Sequence, residues 1–473
     1  MKHLSAPVLA GIIFAATSLA VFGQTTSPSS GAAGQTPATP SATAAQTTAA
    51  QAPAADPLAD FGGASPACRT ALQKASDLKA AGKWCSAFDA LMAYDPANAD
   101  PYALAMKARL CMDGYVATEQ YQSFALKDLA DGETVDALRA SGSDAPPISF
   151  DPPALAAVIA SKGGALPAIL SRVLGDYYYN AQIEFSGHWV MSDQDAYQKA
   201  LDQYQAAYAG GSFDGDSLQN LGELLVRFDR PAEAVPIFQK SLALNPSNPT
   251  ARYNYAVCLI RQGDRNGALD QLDQALALFA DPQAKFETLN LAAHTAVDAG
   301  DAARTESYLK KAETLVPQGP DAGLLRHEIA VRQKNPTAAN AAADALMAQF
   351  SSNPAVVRTL ISVWYSNGDA ASALAFLNRS IAGTKDDMSL GTLQFYLAIL
   401  LAQGNPSDAD KTAALAALDQ SVAHMKKVMS PDDQFFSVAE QVRDHIAPPA
   451  STPASPAPAS PAPQTAAPAS PTP

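Results

Sequence analysis

Few residues of this chain have the type and spacing that chemistry requires. His327-Glu328 begins like the helical zinc motif in which two histidines four apart hold the metal and the glutamate acts as base. Val331 stands where the second histidine belongs, so the pair reads as a surface or tolerated core histidine. The adjacent carboxylates Asp386-Asp387 and Asp432-Asp433 precede helical stretches. They read as N-terminal caps rather than as an acid–base pair. His188-Trp189 reads as a surface loop with a packing tryptophan, with ligand contact as the alternative. Cys68, Cys85, Cys111 and Cys258 match no zinc spacing. The sequence carries no glycine-rich phosphate loop and no nucleophile elbow. The expectation is a protein without catalytic residues, metal or cofactor, whose function lies on a surface.

The composition says what elements would build that surface. Of 473 residues, 48% are apolar and only 7% aromatic, with alanine dominant. Alanine has the best helix propensity and lets helices approach closely, so packed helices are favoured over sheets. A formal net charge of -14 repels phosphate backbones and anionic lipid, which makes nucleic acid and acidic membrane poor partners. Lys2 and His3 precede an apolar run of 19 residues, Leu4 to Phe22, ending Val21-Phe22-Gly23. Pro7 and the small-residue end favour a signal peptide over residues 1–23 with cleavage before Gln24, and hence export to the periplasm or beyond. The run is also long enough to remain as a membrane tether, and membrane is a partner only in that case. Residues 24–64 (Thr, Ser, Ala, Pro, Gln) are expected to be a disordered linker, and 448–473, with its block Pro-Ala-Ser-Pro-Ala-Pro, a disordered polyproline-like tail.

Between the tails, residues 65–447 show helical periodicity broken by regular turn signals. Gly263-Asp264, Gly300-Asp301 and Gly368-Asp369 fall 37 and 68 residues apart, the latter twice 34. A unit starting at Gly215 places Leu218, Leu221, Gly222 and Leu225 on one helix, then Ala234, Phe238, Ser241 and Pro246 on and after a second. Units from Pro249 (Tyr255, Ala256, Leu259, Ala268), from Phe286 (Leu289, Ala293, Ala296, Pro317) and from Pro354 (Leu360, Trp364, Ala373, Leu377) repeat it. An earlier unit has Leu174-Gly175, Tyr178, Ala200 and Tyr204, with Gly175 and Ala200 25 apart against 12 for Gly222 and Ala234. Small residues are needed where helix axes cross closely, and the large ones fill the space beside the crossings.

This pattern resembles the tetratricopeptide-repeat family over about residues 168–387. The resemblance implies an all-α fold, a right-handed solenoid of about seven antiparallel helix hairpins. Residues 65–164 would be degenerate helical repeats, 165–387 the array, and 388–447 a last hairpin with a capping helix. Within 115–164 the expectation is helical pieces without a clear repeat. The unit from Pro320 is irregular, because His327 and Leu346 stand where small residues are expected.

The family's first helices line a groove that takes peptide segments, which points to Tyr179, Gln219, Asn220, Glu223, Arg227, Tyr253, Asn254 and Arg261, with Asp176 beside them. Asn220 and Asn254 resemble an asparagine whose amide pairs with peptide backbone. The family's clamp for acidic tails needs basic residues where Asp216, Thr250 and Glu287 stand, so that role is not expected. Cys85 at the start of one helix and Cys111 at the end of the next would lie side by side, as a disulfide or as two buried thiols. The reading is an exported scaffold for a protein or peptide partner, with a tethered adaptor, or a spacer between functional tails, as rivals.

Overall fold

The computed structural model describes residues 58–142, 144–163 and 166–448. The expected signal peptide (1–23), most of the linker and nearly all of the proline-rich tail lie outside the described residues. Two compact units divide the chain between Pro317 and Gln318.

The first unit opens with a 3-10 turn, Ala59–Phe61, and then α1 (Pro66–Ala80), α2 (Trp84–Tyr94) and α3 (Pro101–Gly114). Next come β1 (Tyr115–Glu119), β2 (Ser123–Leu126), α4 (Val135–Ser141), β3 (Pro147–Ser149) and α5 (Pro152–Ser161). Four hairpins complete it: α6 (Ala168–Phe185) with α7 (Asp193–Ala209), α8 (Gly215–Arg227) with α9 (Pro231–Leu244), α10 (Pro249–Gln262) with α11 (Arg265–Leu278), and α12 (Pro282–Asp298) with α13 (Ala302–Leu315). The second unit contains α14 (Asp321–Arg332) with α15 (Pro336–Phe350), α16 (Pro354–Ser366) with α17 (Ala370–Gly383), and α18 (Asp387–Leu401) with α19 (Asp408–Met425). A final helix, α20 (Gln434–Ile446), lays Phe435, Ala439, Val442 and Ile446 against α19. Counting α1 with α2, the described residues form eight hairpins, against about seven expected.

Local sequence starts and stops these helices. Asp100, Asn248, Asp281, Asn335 and Asn353 each precede a proline and accept backbone N–H bonds from the first turn. The proline costs nothing there, because the first N–H groups of a helix have no intrahelical partner. The turns inside most hairpins, those of α6–α7 and α18–α19 excepted, share one geometry. A left-handed residue donates its N–H three residues back, and the following N–H reaches five back, as in Gly263 to Ile260 and Asp264 to Leu259. Gly300 and Gly368 do the same, and so do Asp229 (φ 56°) and Lys334 (φ 53°). Positions 229, 263, 300, 334 and 368 are therefore 34, 37, 34 and 34 apart, a period that glycines alone only half disclose.

Lys334 is exposed, and a Cβ in this region costs about 1–2 kcal/mol. Glycine removes that cost and gives back about 0.5–1 kcal/mol as unfolded-state entropy. Lys334→Gly is therefore expected to stabilise the protein by about 0.5–1 kcal/mol, read as a rise in the thermal midpoint.

The hairpins close on small residues. A Cβ at Gly175 would stand 2.6 Å from the Tyr204 ring, and one at Gly222 2.7 Å from Phe238. In the irregular unit the crossing has moved one turn earlier: Gly323 receives Leu346, where an added Cβ would be at 2.7 Å. His327 is thereby released from the crossing. It is fully buried, with its ring nitrogens 3.1 Å from the Ala339 carbonyl and 3.3 Å from that of Leu360. Burial pushes its pKa below the usual histidine range, so it is a core residue.

Residues 115–149 depart from the helical expectation, with a three-stranded antiparallel sheet ordered β1-β2-β3. Tyr115, Val116, Thr118 and Phe124 are β-branched or aromatic and suit a pleated surface. The β1–β2 turn holds Gln120 and Tyr121 at φ 49° and 57°. The stretch between α6 and α7 clasps this turn: Trp189 Nε1 donates to the Gln120 carbonyl (2.8 Å), Gln120 Nε2 to that of His188 (3.1 Å), and Tyr177 Oη to that of Tyr121 (3.0 Å). Trp189 thus packs within the fold, as the surface-loop reading held.

The cysteine staple is not formed, and all four thiols are free. Trp84, the first residue of α2, occupies the α3 face at Gly114, where an added Cβ would be 2.2 Å from its ring. Cys85 lies about 100° further round the helix, half-buried, with its Sγ 4.0 Å from an Asp89 carboxylate oxygen, while Cys111 is buried.

Candidate functional site

In the first unit, α6, α8, α10 and α12 are the leading helices of successive hairpins. Their facing stripes carry the residues singled out from the sequence. Tyr179 on α6 donates its hydroxyl to Glu223 Oε2 on α8 (2.8 Å), and both are buried. Asn220 Nδ2 donates to Tyr204 Oη (3.1 Å), which itself donates to Asp176 Oδ1 (2.7 Å), linking α8, α7 and α6. Gln219 Oε1 accepts from Asn248 Nδ2 (2.7 Å), the N-cap of α10. Arg227 is exposed and stacks its guanidinium 4.2 Å from the centre of the Tyr197 ring. Arg261, also exposed, donates to the Val226 carbonyl (3.1 Å) and to Asp229 (3.2 Å).

The expected exposure of these positions needs correction. Tyr253 keeps 2% and Asn254 5% of its surface, so the centre of the α10 stripe is buried. Burial, with the Glu287 charge nearby, pushes the Tyr253 hydroxyl up to about 12. Asn254 lies between Thr250 and Val257 on the stripe that ends at Arg261, and its Nδ2 has no hydrogen-bond partner. Gln219 and Asn220 remain half-buried and Arg227 and Arg261 open, so these four form the accessible part.

One group escaped sequence reasoning. Arg172 on α6 reaches Asp60 (2.7 Å) and Asp214, the N-cap of α8 (3.1 Å). Although burial opposes it, Asp214 is held below the usual carboxylate range by Arg172 and the Ser217 hydrogen bonds. Asp176 goes the other way: burial drives its pKa up to about 7, and the Asp214 charge adds to this against the Tyr204 hydrogen bond and the Arg109 and Arg172 charges. Asp216 is raised by burial and by Asp214. An ion pair bridging residues 60, 172 and 214 leaves no local pattern, and a charged residue inside a leading helix is its only sequence signal.

Asp176 has a consequence for stability. Its folded pKa of about 7 lies above the unfolded value near ~4. The stability this group confers is therefore full below ~4 and is lost as pH rises through about 7. Asp176→Asn can still accept from Tyr204 and has no charge to desolvate. Its thermal midpoint is expected to gain on the native chain progressively between pH 4 and pH 8, measured by circular dichroism across that range.

Residues 225–289 and 324–387 match tetratricopeptide-repeat family models. These two segments are tetratricopeptide repeats. Such repeats are protein-interaction scaffolds, and this tetratricopeptide protein is a scaffold of that kind. Among solved structures it is similar to YrrB, described as a tetratricopeptide protein with an unusual peptide-binding site, at 23% identity over 36% of this chain and 77% of that one, TM-score 0.29. A tetratricopeptide protein of Parabacteroides merdae shares 15% identity over 58% of this chain and 98% of its own, TM-score 0.34. PilW, a type IV pilus biogenesis factor, shares 20% over 61% and 95%, TM-score 0.31. No curated protein matches the sequence. Among the described residues, no group of three or more His, Cys, Asp or Glu could hold a metal ion, and no helix is long and apolar enough to cross a membrane.

Proposed function

We propose that this tetratricopeptide protein is exported to the periplasm or beyond and binds an extended segment of a protein partner along the α6–α8–α10–α12 face, in assembly or upkeep of an envelope complex. The observation that carries the binding reading is the Asn254 amide, 95% buried on that face with an unpartnered Nδ2. A buried donor without an acceptor costs about 1–3 kcal/mol. Turning that amide outward, toward the open positions Gln219, Asn220, Arg227 and Arg261, lets it recover that loss on the backbone carbonyl of a peptide laid along the stripe.

The test is crosslinked capture from native envelope with the full chain and with an Asn254→Ala variant of unchanged thermal midpoint. Capture of one protein that is lost in the variant supports the groove, and equal capture by both chains removes it. Export rests on the apolar run Leu4 to Phe22. The length of that run also favours a second reading, a membrane-tethered adaptor with the helix retained. Intact mass of the envelope-associated protein separates the two: a chain beginning at Gln24 supports cleavage, and one retaining residues 1–23 supports the tether.

A further inference from the structure

The residues ahead of α1 are held by side chains of the array, as a bound peptide is. Asp60 sets its carboxylate 2.7 Å from the Arg172 guanidinium on α6, whose other terminal nitrogen reaches Asp214, the N-cap of α8. Phe61 is buried against Tyr102 near the start of α3, with ring centroids 6.5 Å apart. Arg69 on α1 donates to the carbonyls of Gly62 and Ala64, the latter at 3.2 Å. Residues 58–64 thus cross the starts of α3 and α6, and Asp176 and Tyr179 follow Arg172 along one face of α6. The segment contains only a three-residue 3-10 turn, with backbone bonds that close on itself, from Phe61 to Leu58 and from Ala64 to Phe61. An open cavity of about 810 Å3 is lined by its Leu58 and Phe61 and by Thr70, Gln73, Lys74 and Leu78 of α1, so the segment borders open space.

We propose that residues 58–64 are an internal ligand covering the head of the leading-helix face, and that the partner displaces them with a segment of the same chemistry, an acidic residue followed by an aromatic one. This rests on the groove reading above and adds the chemical class of the partner and a closed state. Displacement dictates that class. Arg172 is 3% exposed, and stripping Asp60 from a buried guanidinium costs far more than exchanging it for another carboxylate. Vacating the Phe61 site leaves a void that an aromatic ring refills and a small side chain does not. A neutral polar or basic segment meets neither demand. The face is open only in the fraction of molecules whose strap is released, so loosening the strap raises the apparent affinity.

The test is fluorescence anisotropy with the fluorescein-labelled octapeptide Pro-Leu-Ala-Asp-Phe-Gly-Gly-Ala, the sequence of residues 57–64. Two further peptides carry Asn in place of its Asp or Ala in place of its Phe. The full chain with Asp60→Asn, which keeps Phe61 in place, is expected to bind the parent peptide about tenfold more tightly than the native chain does. It is expected to bind each altered peptide about tenfold more weakly than the parent. Phe61→Ala empties the aromatic site directly and is expected to show the same gain. Asp202→Asn removes one exposed charge from α7 and is expected to behave as the native chain. If neither loosened chain binds the parent peptide more tightly than the native chain, or if the three peptides bind alike, residues 58–64 only pack against the array and the inference fails. Loss of partner capture in Asn254→Ala then keeps the groove reading standing without it. Equal capture by the native and Asn254→Ala chains removes the groove reading, and with it the claim that these residues cover the groove.

Discussion

Trp364→Ala is expected to be the most damaging single substitution in the second unit, at about 3–5 kcal/mol. The indole is 2% exposed and lies between two other rings, with centroids 4.3 Å from His327 and 5.2 Å from Phe376. It joins the α16 core to α14 on one side and α17 on the other, and Val357, Leu360 and Leu377 complete its wall. Alanine leaves a cavity that the helices can close only by shifting axes already held by small-residue crossings. It also uncovers His327, whose ring nitrogens face two buried carbonyls. Because stability in a repeat array is a sum of nearest-neighbour terms, the loss reaches both flanking hairpins. Calorimetry of the full chain should show the transition of residues 318–448 about 10–20 °C lower. An unchanged transition would mean that this stack does not depend on the indole.

Gly222→Val is expected to cost the first unit about 1–3 kcal/mol or more. Valine replaces glycine inside a helix, a gain in backbone propensity of under ~1 kcal/mol. Its Cβ must enter space within 2.7 Å of the Phe238 ring, which is fully buried. The clash outweighs the propensity gain, since the ring has no solvent into which to move. The pairing makes the test specific: Phe238→Leu shortens the obstructing side chain, so the double variant should lose less than the two singles added together. Strict additivity in urea unfolding would show that α8 and α9 do not cross at this pair.

Much of this architecture is legible without coordinates because it is local. Asn-Pro and Asp-Pro pairs mark helix starts, since an N-cap acceptor and a proline each satisfy the same orphan end. Gly175, Gly222, Ala256 and Ala293 mark the crossings, since only small side chains let helices approach there. Such signals carry the repeat, its period and the family. They fail where a position is set by its neighbours in space. Asp229 and Lys334 hold the left-handed turn without being glycine, because the packed helices they join over-determine the backbone. His327 looks misplaced only until Gly323 is seen to have taken the crossing.

The candidate site divides along the same line. The resemblance to the repeat family points to Asn220, Asn254, Arg227 and Arg261 as members of one face of the leading helices. Their exposure does not follow, because it is set by neighbours in space, and Tyr253 and Asn254 are buried. The clasp between Trp189 and Gln120 joins residues 69 apart, and Arg172 ties Asp60 to Asp214. Contacts at such separations depend on where the stack brings chain segments together. The sequence by itself determined the repeating helix hairpin, through caps, glycines and small residues acting within one unit. Only the tertiary structure decided the sheet clasped beside α6, the unpartnered amide and the Asp60–Arg172–Asp214 bridge, because burial and charge balance belong to neighbours brought together by folding.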